Sequence, residues 1–223
     1  MTSRKYFKAK NNIDFVFSAF ILIATFPFVL LIAILLIVIL KSFPFIIQKR
    51  GITEENQVFN IFKFRTIKIK PYNQNKSENI LFKPGLSQYI PAFCRWLRKT
   101  GFDELPQLLN VLKGEMSLVG PRPLIISDLK VLKNNYSEYY NVRNFITVKP
   151  GITGMWQVFG NRNKGVENMI DLDFYYSKQT SLSIDLRILL STIILVLRGG
   201  HSDAIFPNTS YNKDVHIQNY IRL

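Results

Sequence analysis

Lys99-Thr-Gly-Phe-Asp-Glu-Leu-Pro-Gln-Leu-Leu-Asn-Val-Leu-Lys-Gly-Glu-Met-Ser-Leu-Val-Gly-Pro-Arg-Pro123 is the stretch around which the chain is organised. Asp103 and Glu104 are adjacent and stand just before Pro106, a residue the first turn of a helix tolerates. Leu105, Leu108, Leu109 and Leu112 follow at i, i+3, i+4 and i+7, the spacing of an amphipathic helix, and Gly114 is its expected stop. The start of a helix favours ionised carboxylates. Behind it, Gly120-Pro121-Arg122-Pro123 is a stiff loop able to hold one guanidinium in place, because each proline locks its own φ. An anionic nucleophile beside a rigid Arg suits phosphate chemistry. Taken alone, Asp103 reads more simply as a helix cap; the whole string is what points to a site.

Working outward, 223 residues suit one domain with an anchor and a core of ordinary size. Lys and Arg number 29 against 15 Asp and Glu, a formal charge of +14 that calls for an anionic partner: nucleic acid, a phosphate-bearing substrate or a lipid headgroup surface. The single cysteine, Cys94, excludes an intrachain disulfide. His201 and His216 lack ligand spacing, which argues against zinc, and there is no Gly-rich phosphate loop of the P-loop or dinucleotide type.

Residues 1–12 are polar and basic, and Phe15 to Leu40 is an apolar run interrupted by Ser18, Thr25 and Pro27. The run is too long for a signal-peptide core and has no small-residue cleavage site, so it is expected to be retained. As a straight helix it would cover roughly 39 Å, enough to cross about 30 Å of hydrocarbon. Pro27 near its middle removes a backbone hydrogen bond, and both flanks are basic (Arg4, Lys5, Lys8 and Lys10 before, Lys41, Lys49 and Arg50 after). Positive charge marks the cytoplasmic side, so two positive flanks fit a hairpin that enters and leaves by one face, broken near Pro27.

Phe43 to Ile47 and Gln57 to Phe64 read as strands joined by a polar turn at 51–56. Strand alternation through Lys63-Phe64-Arg65 places both cations on one face. Cations recur at 63, 65, 68, 70, 76, 83, 95, 98 and 99 with Glu78 the one acid among them. Lys63, Arg65 and Arg98 are assigned to substrate and the others to anionic membrane lipid. Residues 68–88 read as an irregular loop, Tyr89 to Lys99 and Ile125 to Tyr140 as helices, and Ile184 to Leu197 as a core or interfacial helix too short to span. Tyr136, Tyr139 and Tyr140 are expected to pack.

Five pieces in fixed order carry a resemblance that runs from about Ile13 to Thr192: Lys63-Phe-Arg-Thr66, Leu97-Arg-Lys-Thr100, Asp103-Glu-Leu-Pro-Gln107, Ser117-Leu-Val-Gly-Pro-Arg-Pro123 and Lys149-Pro-Gly-Ile-Thr-Gly154 leading into Trp156-Gln-Val158. Together they resemble the bacterial sugar transferases, monotopic phosphoglycosyl transferases that start lipid-linked glycan assembly. The resemblance implies a re-entrant helix, usually broken at Ser-Pro; here Phe26 precedes Pro27. It also implies that Asp103 attacks the sugar-proximal phosphorus of a UDP-sugar, releasing UMP, and that polyprenyl phosphate then takes the phosphosugar. Glu104, with Asp103, would hold Mg²⁺, and Lys63, Arg65, Arg98 and Arg122 would neutralise phosphate. Arg162, just beyond an expected strand at Met155 to Val158, is the further phosphate ligand by this resemblance, and Asp173 is read as structural or as supporting the site from behind.

The expectation is therefore an α+β, mainly helical chain with an anchor (1–42), a catalytic domain (43–200) and a tail (201–223), at the cytoplasmic face of a bacterial inner membrane. Its partners would be UDP-sugar, polyprenyl phosphate and anionic lipid, with Mg²⁺ as cofactor; the sugar and oligomeric state stay open. A membrane-tethered basic scaffold explains the charge but not the Asp-Glu string. A nucleic-acid binder leaves the apolar run unexplained.

Overall fold

The computed structural model describes residues 3–68, 89–161 and 164–199; all but Lys68 of the expected loop at 68–88, Arg162 and the 201–223 tail lie outside the described residues. The first element, α1 (Ser3–Leu40), is helical throughout, Pro27 included. It is long and apolar enough to cross a membrane. Thr25, the hydroxyl nearest the proline, donates back to the Ile21 carbonyl at 2.7 Å, a local bond of the kind that bends helices slightly.

Alternation then gives way to two strands, β1 (Phe45–Gly51) and β2 (Phe59–Phe64), paired antiparallel with Phe45 opposite Phe64 and Arg50 opposite Phe59. The first strand runs further than the sequence suggests, into the expected turn. Next comes α2 (Ala92–Thr100), which starts only after Pro91, whose extended ψ of 157° keeps the preceding residues out of the helix. Gly101 takes a left-handed φ of 72° that a side chain would resist. It turns the chain into a 3₁₀ segment, Phe102–Gln107, and α3 (Leu108–Leu112) follows.

A single helix was the expectation from the leucine spacing. Instead, the carboxylates sit on the tighter 3₁₀ turn, and Leu108, Asn110 and Val111 are buried while Leu109 is exposed. Gly114, with φ 76°, lies just past the end of α3, where a stop was expected.

The remaining elements are β3 (Ser117–Val119), β4 (Leu124–Ile125), α4 (Ile126–Asn135), α5 (Ser137–Asn144), β5 (Gly151–Thr153), α6 (Met155–Phe159), α7 (Gly165–Lys178) and α8 (Leu182–Leu197). The order β2-β1-β4 forms one small sheet, and β3 and β5 pair in parallel as a second. The helix expected from Ile125 to Tyr140 breaks at Tyr136, where φ and ψ are −140° and 51°; the preceding Asn134-Asn135 favours a turn over helix. The strand expected at Met155 to Val158 is the helix α6, with Met155, Trp156 and Gln157 buried in succession. Periodicity cannot tell a short buried run of this kind from a strand.

The main core gathers Leu129, Leu132, Ile146, Met169, Ile170 and Ile188, all fully buried, under α4 to α8. A second core packs Ile32 and Leu36 of α1 against Phe64, Cys94 and Leu97. Contacts to the domain thus extend along most of α1. Tyr6, Lys10, Asp14 and Ser18 are buried near its start, Ile21 and Leu22 pack on the main core, and Ile32, Ala33, Leu36 and Leu40 are buried near its end. The other side of α1 exposes Phe15, Phe17, Phe20, Ile23, Phe26 and Val38.

Candidate active site

Asp103 and Glu104 are buried, 0% and 4% exposed, on the 3₁₀ turn set by Gly101. Lys63 reaches them from β2: its Nζ lies 3.4 Å from Asp103 Oδ2 and 3.6 Å from Glu104 Oε1. Asn110 holds the two elements together, donating to the Asn60 carbonyl at 2.7 Å while accepting the Phe62 N–H at 3.1 Å. The site is therefore a strand and a short helix clamped by one amide.

Neither Asp103 oxygen accepts a hydrogen bond from any described residue. A carboxylate taken out of water without hydrogen bonds costs stability, and one nearby ammonium only partly offsets this. Such an arrangement leaves the oxygen lone pairs available. The Cys94 thiol on α2 is close enough to feel this charge: burial, and then Asp103, pushes it up to about 11.

Arg98 lies on α2 and donates from Nη1 to the Thr66 hydroxyl at 3.2 Å, tying the end of Lys63-Phe-Arg-Thr66 to Leu97-Arg-Lys-Thr100. Arg65 falls just past β2, and its Nε donates to the Phe43 carbonyl at 3.0 Å. Lys63, by contrast, points to the carboxylates, so the two cations meet different groups.

The Arg122 loop is held from behind. Its backbone N–H donates to Asp173 Oδ2 at 3.1 Å. Arg143, fully buried, donates to the same oxygen at 3.1 Å, to the Arg122 carbonyl at 2.7 Å and to the Ile52 carbonyl at 2.8 Å. Burial pushes Asp173 up to about 6 and draws Arg143 down, while the pairing opposes both shifts. The sequence suggests a structural or supporting role for Asp173, and its observed contacts are to the Arg122 backbone and to Arg143. Arg143 was not anticipated, because its acid partner is distant in sequence.

The parallel pairing of β3 and β5 lays Gly120-Pro-Arg-Pro123 against Pro150-Gly-Ile-Thr-Gly154. Gly120 donates to the Thr153 carbonyl and Gly151 to the Pro121 carbonyl, both at 2.9 Å. A Cβ at Gly120 would collide with the Lys149 carbonyl oxygen, so only glycine permits this approach.

The Asp103 carboxylate, whose oxygens accept no hydrogen bond from the described residues, beside the Glu104 carboxylate is a donor set that fits a hard divalent cation. No group of three or more His, Cys, Asp and Glu converges among the described residues. Two protein carboxylates completed by water and substrate phosphate is the habit of Mg²⁺.

An acidic pair thus faces the buried Lys63 on a domain that packs along an apolar helix. The chain belongs to the bacterial sugar transferase family, which its residues 5–199 match. It is 34% identical over 202 residues to an undecaprenyl-phosphate galactose phosphotransferase of Salmonella typhimurium, covering 85% of this chain and 40% of that protein. It is 32% identical over 165 residues to the galactosyl transferase CpsE of Streptococcus agalactiae serotype III, covering 70% and 35%. An undecaprenyl-phosphate glucose phosphotransferase of Komagataeibacter xylinus is 32% identical over 191 residues, covering 82% and 35%. The chain spans well under half the length of these relatives.

Proposed function

We propose that the chain transfers a phosphosugar from a UDP-sugar to polyprenyl phosphate through a covalent intermediate on Asp103. The observation that carries this reading is the buried Asp103 carboxylate, which accepts no hydrogen bond from the described residues and faces Lys63 across 3.4 Å. An Asp103 oxygen attacks the sugar-proximal phosphorus, and the bond from that phosphorus to the bridging oxygen breaks, so that UMP leaves. A phosphosugar remains on the carboxylate. An oxygen of polyprenyl phosphate then attacks the same phosphorus, the bond to Asp103 breaks, and polyprenyl diphosphate-sugar departs. Splitting the reaction lets two bulky anionic substrates use one site in turn.

Attack of an anion on a diphosphate needs preorganised positive charge. Lys63 stands at the carboxylates; Arg98, tied to Thr66, and Arg122 on its braced loop are the next candidates, while Arg65, bonded to the Phe43 carbonyl, and Arg162 are the remaining ones. Asp103 and Glu104 are the residues that would hold Mg²⁺, which when bound supplies charge neutralisation to the diphosphate.

The reading of membrane topology rests on α1. Tyr6, Lys10 and Asp14 are built into the domain at one end, and Ile32 to Leu40 pack on it at the other. Helix ends fastened to one domain support a re-entrant course around Pro27, with that domain on the cytoplasmic face of a bacterial membrane. The exposed apolar side would enter the lipid, keeping Asp103 near headgroup depth.

The test is UMP release from a panel of UDP-sugars by the purified chain with polyprenyl phosphate and Mg²⁺. Release that depends on the lipid acceptor and on Asp103 is expected. Binding to anionic vesicles without release from any donor would favour the lipid-binding scaffold instead.

A further inference from the structure

A chain of aromatic rings leads from the membrane-facing helix to the acidic pair. Phe28, next to Pro27 on α1, meets Phe102 edge to face with centroids 5.2 Å apart. Phe102 meets Trp96 of α2 at 5.4 Å, and Trp96 stacks on Phe93 at 5.7 Å. Phe102 is the residue immediately before Asp103, and Trp96, 43% exposed, is the open end of the row.

The same helix carries Arg98 and Lys99 in its last turn. A short element with an aromatic side and a cationic end matches an amphiphile with an apolar tail and an anionic head. Cys94 and Leu97 enter the second core from α2, and Phe28, Phe93 and Phe102 are partly buried against its edge, so that Trp96 is the member of the row left open. Aromatic surface left partly open beside a reactive group has a use only if something apolar comes to it.

We infer that Phe28, Phe93, Trp96 and Phe102 form the subsite for the first isoprene units of the acceptor lipid, with the acceptor phosphate directed to Asp103. The inference rests on the reaction proposed above and adds where the tail lies. The unsaturated tail packs along the ring faces and edges, and this contact, rather than general immersion in lipid, aligns the phosphate for attack. The donor half-reaction needs no such contact.

The experiment uses the full chain in detergent micelles and reads the two half-reactions separately for wild type, Trp96→Ala and Trp96→Phe. Phosphosugar adduct from UDP-sugar alone reports the donor step. Discharge of the adduct is then followed with polyprenyl phosphates of one, two, three and eleven isoprene units. Binding to vesicles of phosphatidylethanolamine and phosphatidylglycerol is measured in parallel.

The expected result for Trp96→Ala is normal adduct formation, normal vesicle binding, and about a tenfold loss in discharge efficiency with the longer acceptors, the size of one lost aromatic contact. The one-unit acceptor should be nearly unaffected, and Trp96→Phe should restore most of the loss. Wild-type discharge at every length overturns the subsite. So does a loss that tracks weakened vesicle binding, which would make Trp96 a bulk-lipid anchor. Absence of any adduct in wild type would overturn the reaction itself, and that outcome is visible before an acceptor is added.

Discussion

Asp185 of α8 accepts from three donors: the Tyr6 hydroxyl at 2.9 Å, the Lys10 ammonium at 2.8 Å and the Tyr176 hydroxyl at 2.6 Å. Asp103, at least as deeply buried, accepts from none of the described residues and faces Lys63 at 3.4 Å. Next to the first cluster, Ser117 donates to Asp14 at 2.6 Å, so α1, β3, α7 and α8 are joined by one set of buried polar groups. A buried carboxylate that accepts from donors on several elements is a joint between them. One left without hydrogen bonds costs stability and is kept where chemistry needs the oxygen.

The contrast is broken or sharpened by exchanging charge for amide at each position. Asp103→Asn should abolish turnover while leaving thermal stability unchanged or raised, since it removes a buried charge that few groups satisfy. Asp185→Asn should do the reverse. It leaves the buried Lys10 with only the longer pair to Asp14 at 3.8 Å and weakens the acceptor of the Tyr6 and Tyr176 hydroxyls, so it should cost about 3 kcal/mol in denaturant unfolding, with Asp103 chemistry surviving in the folded fraction. Arg143→Met, which strands Asp173, belongs with Asp185 and should lose a comparable about 3–5 kcal/mol. Equal stability losses at Asp103 and Asp185 would erase the distinction.

Arg122→Lys is a smaller change on the catalytic side. Asp173 and Arg143 brace the loop through its backbone, so the variant should fold normally. Loss of a planar, bidentate donor should lower turnover by about ten- to a hundredfold, measured as UMP release at saturating donor. The smallest effect concerns Cys94, buried and pushed up to about 11. Below that pH the thiol is protonated, so iodoacetamide at pH 8 should leave the native chain unlabelled and label it only after denaturation.

Much of the catalytic half was legible because its signals are local. Pro106, the leucine spacing and Gly114 place the carboxylates before a short helix, and Gly120-Pro-Arg-Pro123 declares a rigid loop. The 3₁₀ geometry was not legible, since spacing alone does not separate a tight turn from the first turn of an α-helix. The joints were hidden for a different reason. Lys10 and Asp185 are 175 positions apart, and Arg143 and Asp173 are 30 apart. Such pairs leave no periodic trace, and each member read singly resembles an ordinary charge on a helix. An isolated basic residue within a mostly apolar helix face would have been the one signal for Arg143. At α6 three successive buried residues satisfied strand and helix alike.

The covalent role of Asp103 is tested most directly by mass spectrometry of intact protein, quenched after exposure to UDP-sugar and Mg²⁺ without acceptor. The expected result is a mass gain of one phosphosugar on the peptide containing Asp103. The gain should be absent in Asp103→Asn, present but slower to form in Glu104→Gln, and discharged when polyprenyl phosphate is added. An adduct on Glu104, or normal turnover by Asp103→Asn, would contradict it.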